Sequence, residues 1–250
     1  MKVVSCYSIK GGVGKTATSV NMAYMAAKSG MRTLLIDLDP QGASSFYFRV
    51  KPSKKQQGKR LINASHALLK QVKASDVDNL DIIPAHMSFR NFDALLSQLK
   101  KSNNRLNKTF SKLSSEYDLI ILDCPPTISY LSEAVFTASD VIFVPVIPTT
   151  LSERTYEQLL EFFKKKAFPK KRIIPFFTMV QSQKSLHKNT MNSMNNRYSR
   201  FLNSTIPFSV DIESMGEHRA PVGVFAKHRP ANKAYQSLWK EMDKSIKKAK

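Results

Sequence analysis

Residues 10–16 read Lys-Gly-Gly-Val-Gly-Lys-Thr, and this stretch decides how the chain folds. It follows an apolar run at 3–9, which predicts a strand, and it opens a helical pattern at 15–29. Three of the seven residues are glycines, which let successive backbone N–H groups turn toward one point. A strand, a glycine-rich loop and a helix in this order predict a phosphate-binding loop with the positive end of the helix dipole behind it.

The side chains of the loop fit the same purpose. Lys15 supplies a cation for the β- and γ-phosphates of a nucleotide, and the hydroxyl of Thr16 can ligate Mg²⁺. The standard pattern G-x-x-x-x-G-K-[ST] requires glycine at position 9, but this chain has Ile9 there, and a second lysine, Lys10, opens the loop. We expect the following residues to bind the nucleotide: Lys10, Gly11, Gly12, Val13, Gly14, Lys15, Thr16 and Ala17.

Apolar runs alternate with helical patterns along the rest of the chain. The runs are continuous, which is typical of parallel strands covered on both faces. The predicted strands are 3–9, 33–37, 80–84, 119–123, 141–146 and 172–179. The predicted helices are 15–29, 92–115, 127–138, 152–165, 188–202 and 232–248. This order predicts an α/β fold with a doubly wound, mostly parallel sheet and helices on both faces, in a single domain over 1–250.

Carboxylates follow two of the predicted strands. Asp37 and Asp39 lie at the end of the strand at 33–37, and Asp123 closes the strand at 119–123. Ligands of open α/β sheets bind at the carboxyl ends of the strands. Because no basic residue lies near Asp37 and Asp39 in sequence, we favour a functional role over simple strand-end capping.

Three motifs together resemble one family. They are K-G-G-V-G-K-T at 10–16, L-L-I-D-L-D-P-Q-G at 34–42 and L-I-I-L-D-C-P-P at 119–126. In this order they resemble the ParA/MinD family of deviant Walker A ATPases, and the resemblance covers essentially the whole chain. It implies the P-loop NTPase fold, ATP and Mg²⁺ as ligands, and slow ATP hydrolysis that a partner protein stimulates.

The resemblance also implies catalytic roles. Lys10 would reach across a homodimer that closes over two ATP molecules, and Lys15 would hold the phosphates of its own chain. Asp39 would position or activate the attacking water. Thr16, Asp37 and Asp123 would support Mg²⁺.

Two further expectations concern the base and the α-phosphate. By family position, Met179 and Pro207 would lie along the adenine. Most relatives carry a second hydroxyl residue after the threonine of the loop, and this chain has Ala17. A hydrogen bond to the α-phosphate worth about 1–3 kcal/mol would then be missing, which predicts a modest nucleotide affinity.

The charge of the chain points to a polyanionic partner. Lys and Arg number 39 against 19 Asp and Glu, a formal net charge of +20, and residues 151–250 hold 20 of these basic residues against 8 acidic ones. A domain this basic usually meets nucleic acid or an anionic membrane. The candidate DNA-contacting residues are Lys184, Lys188, Arg197, Arg200, Lys227 and Arg229.

Two functions fit this surface. The first is a ParA-like positioning ATPase whose ATP-bound dimer binds non-specific DNA and whose hydrolysis is stimulated by a ParB-like or other adaptor. The form D-L-D-P-Q-G at 37–42 favours it. The second is a MinD-like ATPase that binds a membrane through the basic, amphipathic helix at 232–248. We favour docking of that helix on the body, because A-Y-Q-S-L at 234–238 resembles the docked end of ParA-like chains.

The cysteines and the start of the chain suggest a compartment. Cys6 and Cys124 lie far apart in apolar segments and form no C-x-x-C pair, and the five histidines lack metal-ligand spacing. The chain is already strand-like near its first residues, and no apolar run approaches the roughly 20 residues that span a bilayer. We expect a cytoplasmic protein, associated with the nucleoid in its ATP state.

Overall fold

Seven strands form one sheet in the computed structural model, which describes residues 1–52, 61, 66–99 and 102–249. They are β1 (Lys2–Cys6), β2 (Thr33–Asp37), β3 (Lys73–Ala74), β4 (Leu80–Ile83), β5 (Leu119–Asp123), β6 (Val141–Val146) and β7 (Ile173–Phe177). Their order is β3-β4-β2-β5-β1-β6-β7, and every pairing except β3 with β4 is parallel. The predicted doubly wound, mostly parallel sheet is confirmed.

Helices cover the sheet on both faces. The first five are α1 (Lys15–Lys28), α2 (Ala43–Tyr47), α3 (Phe92–Ser97), α4 (Arg105–Ser111) and α5 (Tyr130–Ala138). The others are α6 (Thr150–Lys165), α7 (Ser185–Arg197), α8 (Val210–Glu213), α9 (Met215–His218), α10 (Val222–Phe225) and α11 (Pro230–Lys248). Short 3₁₀ helices lie at His66–Gln71, Met87–Asn91, Ser102–Asn104 and Lys170–Arg172.

Two hydrophobic cores result from the alternation of side chains along the strands. In β2, Leu34 and Ile36 point into one core and Leu35 points into the other. The first core is closed by α3 to α7, and the second by α1 and α9 to α11. Because both faces are covered, the central strands are apolar at nearly every position, which is why they were readable from the sequence.

Some predicted boundaries are wrong. The single helix predicted over 92–115 is interrupted: α3 ends at Ser97, a 3₁₀ turn follows at Ser102–Asn104, and α4 ends at Ser111, while residues 100–101 lie outside the described part. The helix predicted at 188–202 runs instead from Ser185 to Arg197. Strand β3 has only two residues, both exposed, and so carries no apolar pattern to detect.

The carboxyl-terminal helix α11 packs its apolar stripe against the second core. Tyr235, Leu238, Trp239, Met242 and Ile246 are all buried, and the helix lies beside α1. Its lysines point away from that stripe and are exposed. Among the residues described, no helix is long and apolar enough to cross a membrane.

Gly223 marks the tightest contact between these helices. A Cβ atom at this position would overlap the ring of Tyr24 and lie 3.0 Å from Asn232 Oδ1, and the Tyr24 hydroxyl donates to the Gly223 carbonyl at 3.2 Å. Absence of a side chain at Gly223 therefore lets α10 approach α1 and α11.

We expect Gly223→Ala to lower the free energy of unfolding by about 1–3 kcal/mol, because overpacking forces neighbouring side chains to move. Gly216→Ala is the matched control, since a Cβ there meets nothing within 4 Å. Urea denaturation of both variants measures the difference. Equal stability of the two would contradict the close contact.

Candidate active site

The loop between β1 and α1 has the backbone geometry that its glycines predict. Gly12 has a φ of 68° and Gly14 a φ of 85°, both in the left-handed region that other residues rarely adopt. Gly14 is also the N-cap of α1, so the positive end of that helix faces the loop. Ile9, which replaces the usual first glycine, packs instead against the first core.

Lys15 folds back across this loop. Its side chain is buried, and its Nζ donates to the carbonyl oxygen of Lys10 at 3.1 Å. The ammonium group therefore lies inside the turn formed by the loop. Ala17 packs against the second core and presents no hydroxyl to the loop.

Two aspartates meet at the carboxyl ends of neighbouring strands. The register of β2 and β5 pairs Asp37 with Asp123, and both are completely buried. One oxygen of Asp37, Oδ2, accepts from the Ser45 N–H at 2.8 Å and from its hydroxyl at 2.6 Å. The other, Oδ1, has no hydrogen-bond partner among the described residues.

Asp123 is held by two further hydroxyls. Ser44 donates to it at 2.6 Å and Ser19 at 3.1 Å. Sequence reasoning missed these serines together with Ser45. A signal for two of them existed, because Ser44 and Ser45 lie two and three residues after the D-L-D-P-Q-G motif. They belong to the first turn of α2, which follows the left-handed residue Gly42.

Burial disfavours the ionised form of both carboxylates, and the charge of Asp123 adds to this effect at Asp37. Burial, followed by the charge of Asp123, raises the pKa of Asp37 to about 7, although the hydrogen bonds from Ser45 oppose the shift. Burial also raises the pKa of Asp123, against hydrogen bonds from Ser44, Thr16 and Ser19 and the charge of Lys15. Added positive charge at this point would stabilise both carboxylates.

Asp39 lies in a different setting from Asp37. Strand β2 ends at Asp37, and Asp39 belongs to the following turn, where it is only partly buried. Its Oδ1 accepts from the Gln41 N–H at 2.9 Å, and its carbonyl accepts from the Gly42 N–H at 2.9 Å. The turn holds this carboxylate at the rim of the site, within reach of solvent.

Lys10 contacts its own chain. Its Nζ donates to the hydroxyl oxygen of Ser152 at 3.1 Å, in the first turn of α6. Thr149 also donates to that oxygen at 3.1 Å. The lysine is partly exposed, and an ammonium near the amino end of a helix gains nothing from the helix dipole.

The predicted adenine residues lie on adjacent segments. A parallel bridge joins Val180 to Pro207, and Met179, one residue earlier, has a φ of 53°. Thr178 precedes them and lies beside the loop, because a Cβ at Gly14 would be 3.2 Å from its hydroxyl. Both Met179 and Pro207 are partly exposed.

The six candidate DNA contacts divide into two groups. Arg197 pairs with Glu153 and Glu157, and Arg229 pairs with Asp211, so their charges are already balanced in part. The other four are exposed and form no ion pair with an acidic side chain in the part of the chain described: Lys184, Lys188, Arg200 and Lys227.

Neither cysteine forms a disulfide or a metal site in the described ranges. Cys6 and Cys124 are buried and free, and burial raises the pKa of both thiols. No group of three His, Cys, Asp or Glu side chains with metal-site geometry occurs among the residues described.

Comparison with known proteins identifies the class of this site. The model of the AAA_31 family, described as an AAA domain, matches residues 1–174. The sporulation initiation inhibitor protein Soj of Bacillus subtilis is 28% identical over 247 residues, which are 96% of this chain and 98% of Soj.

Solved structures share the fold over nearly the whole chain. A plasmid partition protein from Borrelia burgdorferi B31 bound to AMPPNP has a TM-score of 0.79 at 23% identity, covering 98% of this chain and 99% of its own. A cobyrinic acid a,c-diamide synthase from Mycobacterium smegmatis with bound ADP and magnesium has a TM-score of 0.81 at 22% identity, covering 100% and 97%. The chain belongs to the AAA_31 family of AAA domains and is a P-loop ATPase of the ParA/MinD type.

Proposed function

We propose that this protein is a dimerising ATPase that positions or segregates a cargo by nucleotide-switched binding to non-specific DNA. The observation that carries the proposal is the pair of lysines on one loop, Lys10 and Lys15, above the buried pair Asp37 and Asp123. The name of one similar structure, a plasmid partition protein, supports segregation of a cargo.

The residues of the site fit Mg²⁺ and ATP. The left-handed glycines open the loop, and Lys15 already lies inside it. Asp37 keeps one buried oxygen that has no partner among the described residues, and a buried carboxylate oxygen in this state favours a cation. Thr16, Asp37 and Asp123 would hold the metal, directly or through water, and the metal would neutralise charge on the β- and γ-phosphate oxygens.

Each polar residue then has a separate task. Lys15 would exchange the carbonyl of Lys10 for phosphate oxygens, and the N–H groups of the loop would orient the phosphates. Asp39, held in its turn by the Gln41 and Gly42 N–H groups, would accept a hydrogen bond from the attacking water. Met179 and Pro207 would cover the adenine.

The contact between Lys10 and Ser152 bears on dimerisation. To reach phosphates held by a second copy, Lys10 must leave the hydroxyl of Ser152. A partly exposed hydrogen bond is replaced easily when charged oxygens become available, because charge-assisted bonds are roughly twice as strong as neutral ones. Lys10 would then offset charge on the transferred phosphoryl group.

We favour DNA over a membrane as the polyanion to which this protein binds. A helix binds a membrane interface through its apolar face, and that face of α11 is buried against the body. The alternative, a MinD-like ATPase, requires α11 to detach. We propose further that a ParB-like or other adaptor stimulates hydrolysis and that the ATP state is cytoplasmic and associates with the nucleoid.

The first prediction concerns the charge of the aspartate pair without Mg²⁺ and nucleotide. The pKa of Asp37 is raised to about 7 in the folded state and is about 4 in an unfolded chain. Ionisation of Asp37 therefore opposes folding, and the free energy of unfolding falls as the pH rises from about 4 to about 7. We expect Asp37→Asn to raise the free energy of unfolding by about 1–3 kcal/mol near pH 8. This gain should shrink as the pH is lowered through 7.

Urea denaturation in EDTA, near pH 8 and near pH 5.5, measures the effect. The control is Asp118→Asn, because Arg32 lowers the pKa of Asp118 to about 2 and the group is ionised at both pH values. Loss of the exposed ion pair between Arg32 and Asp118 should lower the free energy of unfolding slightly at both. Destabilisation by Asp37→Asn near pH 8 would contradict the repulsion between the two carboxylates.

The second prediction separates binding from hydrolysis. Lys15→Ala should abolish ATP binding, whereas Asp39→Ala should bind ATP normally and hydrolyse it about 100-fold or more slowly, because a positioned base contributes that much. The Asp39→Ala dimer should therefore accumulate on DNA with ATP, and this binding should weaken steeply with added salt.

Fluorescence anisotropy with labelled duplex DNA and a phosphate-release assay measure these properties. Normal turnover by Asp39→Ala would remove the role assigned to that residue. Failure of the ATP-loaded protein to bind DNA at low salt, together with co-sedimentation with anionic liposomes, would favour the MinD-like alternative.

The third prediction tests whether Lys10 acts across the dimer. Lys10→Ala and Asp39→Ala proteins should each be inactive, but an equal mixture should recover about a quarter of wild-type hydrolysis. Half of the randomly formed dimers are mixed, and each has one intact site. If Lys10 acts only on its own nucleotide, the mixture stays inactive, so the assay decides between the two arrangements.

A further inference from the structure

A basic groove lies at the edge of the sheet opposite the nucleotide site. It has a volume of about 420 Å³ and forms where β6 and β7 begin, whereas the loop and the aspartates lie at the carboxyl ends of β1, β2 and β5. Its lining comes from four places: the start of β6, the 3₁₀ turn that leads into β7, the segment that follows α7, and the end of α11. The lining residues with charge are Lys171, Arg172, Arg200, Lys248 and Asp140.

The cations of the groove are not neutralised by acidic side chains. Lys171, Arg200 and Lys248 are exposed and form no ion pair among the described residues. Asp140, the one acidic residue of the lining, accepts from the backbone N–H of Val3 at 2.8 Å. The groove therefore carries a net positive charge at neutral pH.

Two contacts hold the groove in shape. The guanidinium of Arg172 donates to the carbonyls of Phe136 and Thr137 at 3.3 and 3.4 Å, at the end of α5. Lys2 Nζ donates to the carbonyl of Ala249 at 2.7 Å, just beyond the end of α11. The second bond satisfies one of the carbonyls that would otherwise give this end of α11 a negative potential.

We propose that this groove binds the phosphodiester backbone of DNA, and this inference rests on the function proposed above. The floor of the groove includes Val141 and Ile174, which are apolar and buried, so it offers no converging donors for a small anion. The cations stand on the rim, where flexible side chains can contact successive phosphates. Of the DNA contacts predicted from the sequence, Arg197 and Arg229 are already paired with carboxylates, whereas Arg200 lies in the groove.

The position of the groove suits a protein that closes over nucleotide. A partner copy that covers the carboxyl edge of the sheet leaves the amino edge free. Each protomer of the dimer would therefore keep its groove open to DNA.

The experiment compares two pairs of charge reversals in the full-length protein. Lys171→Glu with Lys248→Glu alters the groove, and Lys184→Glu with Lys188→Glu is the matched control near the start of α7. Arg172 is left intact because it caps α5. Binding of a labelled DNA duplex is measured by fluorescence anisotropy over a range of salt concentrations, with a non-hydrolysable ATP analogue present. Thermal melting and basal ATP hydrolysis check that each variant is folded.

We expect the groove variant to lose about 10-fold or more in DNA affinity with unchanged basal hydrolysis, and the control to lose at most about 3-fold. Neutral substitutions, Lys171→Gln with Lys248→Gln, should reduce the slope of log affinity against log salt by about 1–2, as expected for one or two lost phosphate contacts.

Three results would overturn the inference. Wild-type affinity in the groove variant, or a large loss only in the α7 control, would refute the groove while leaving the proposed function standing. No DNA binding by the wild-type protein would refute the proposed function and the groove together. Binding of the wild-type protein to vesicles of anionic lipid in place of DNA, lost in the groove variant, would show that the occupant is a membrane.

Discussion

The parallel pairing of β2 with β5 brings two carboxylates, Asp37 and Asp123, together where water is excluded. Removing an ionised carboxylate from water costs several kcal/mol, and two such groups side by side also repel. The surrounding serine hydroxyls offset part of that cost, since a hydrogen bond to a charged group contributes about 1.5–3 kcal/mol. They come from α1 and α2, so both helices contact this pair.

The hydrogen bonds from the serines offset only part of the cost of burying the two carboxylates, and this leaves the site able to bind a cation. One oxygen of Asp37 stays without a partner among the described residues, and the pKa of that group stays raised. Lys15, whose charge opposes that of Asp123, donates to a carbonyl of its own loop. A divalent cation with a phosphate chain would satisfy both groups at once, because it brings positive charge to the carboxylates and oxygens to the lysine.

Features that depend on local pattern were predictable from the sequence. Strands β2, β5 and β6 begin and end where their apolar runs do, because they are buried on both faces. The break between α3 and α4 was not predicted, because leucines recur at helical spacing on both sides of it, at Leu95, Leu99 and Leu106. The same holds for contacts between distant residues: the bond from Lys10 to Ser152 and the pairing of Arg197 with Glu157 join segments with no shared motif. Sequence therefore reveals which charges exist, and the fold decides which are neutralised.

The separation of the two edges of the sheet bears on how nucleotide could control DNA binding. Under the proposed dimerisation, the groove at Lys171 and Lys248 needs no change of shape to respond to ATP. A single groove makes few phosphate contacts and is weak at physiological salt, because non-specific binding depends on the number of phosphates neutralised. A dimer carries two grooves at opposite ends of one particle, and when both engage one long DNA molecule the second binds at a raised effective concentration. Hydrolysis that separates the protomers would remove this gain in DNA affinity. ATP could therefore control DNA binding through the number of grooves on each particle, without any change in the shape of a groove.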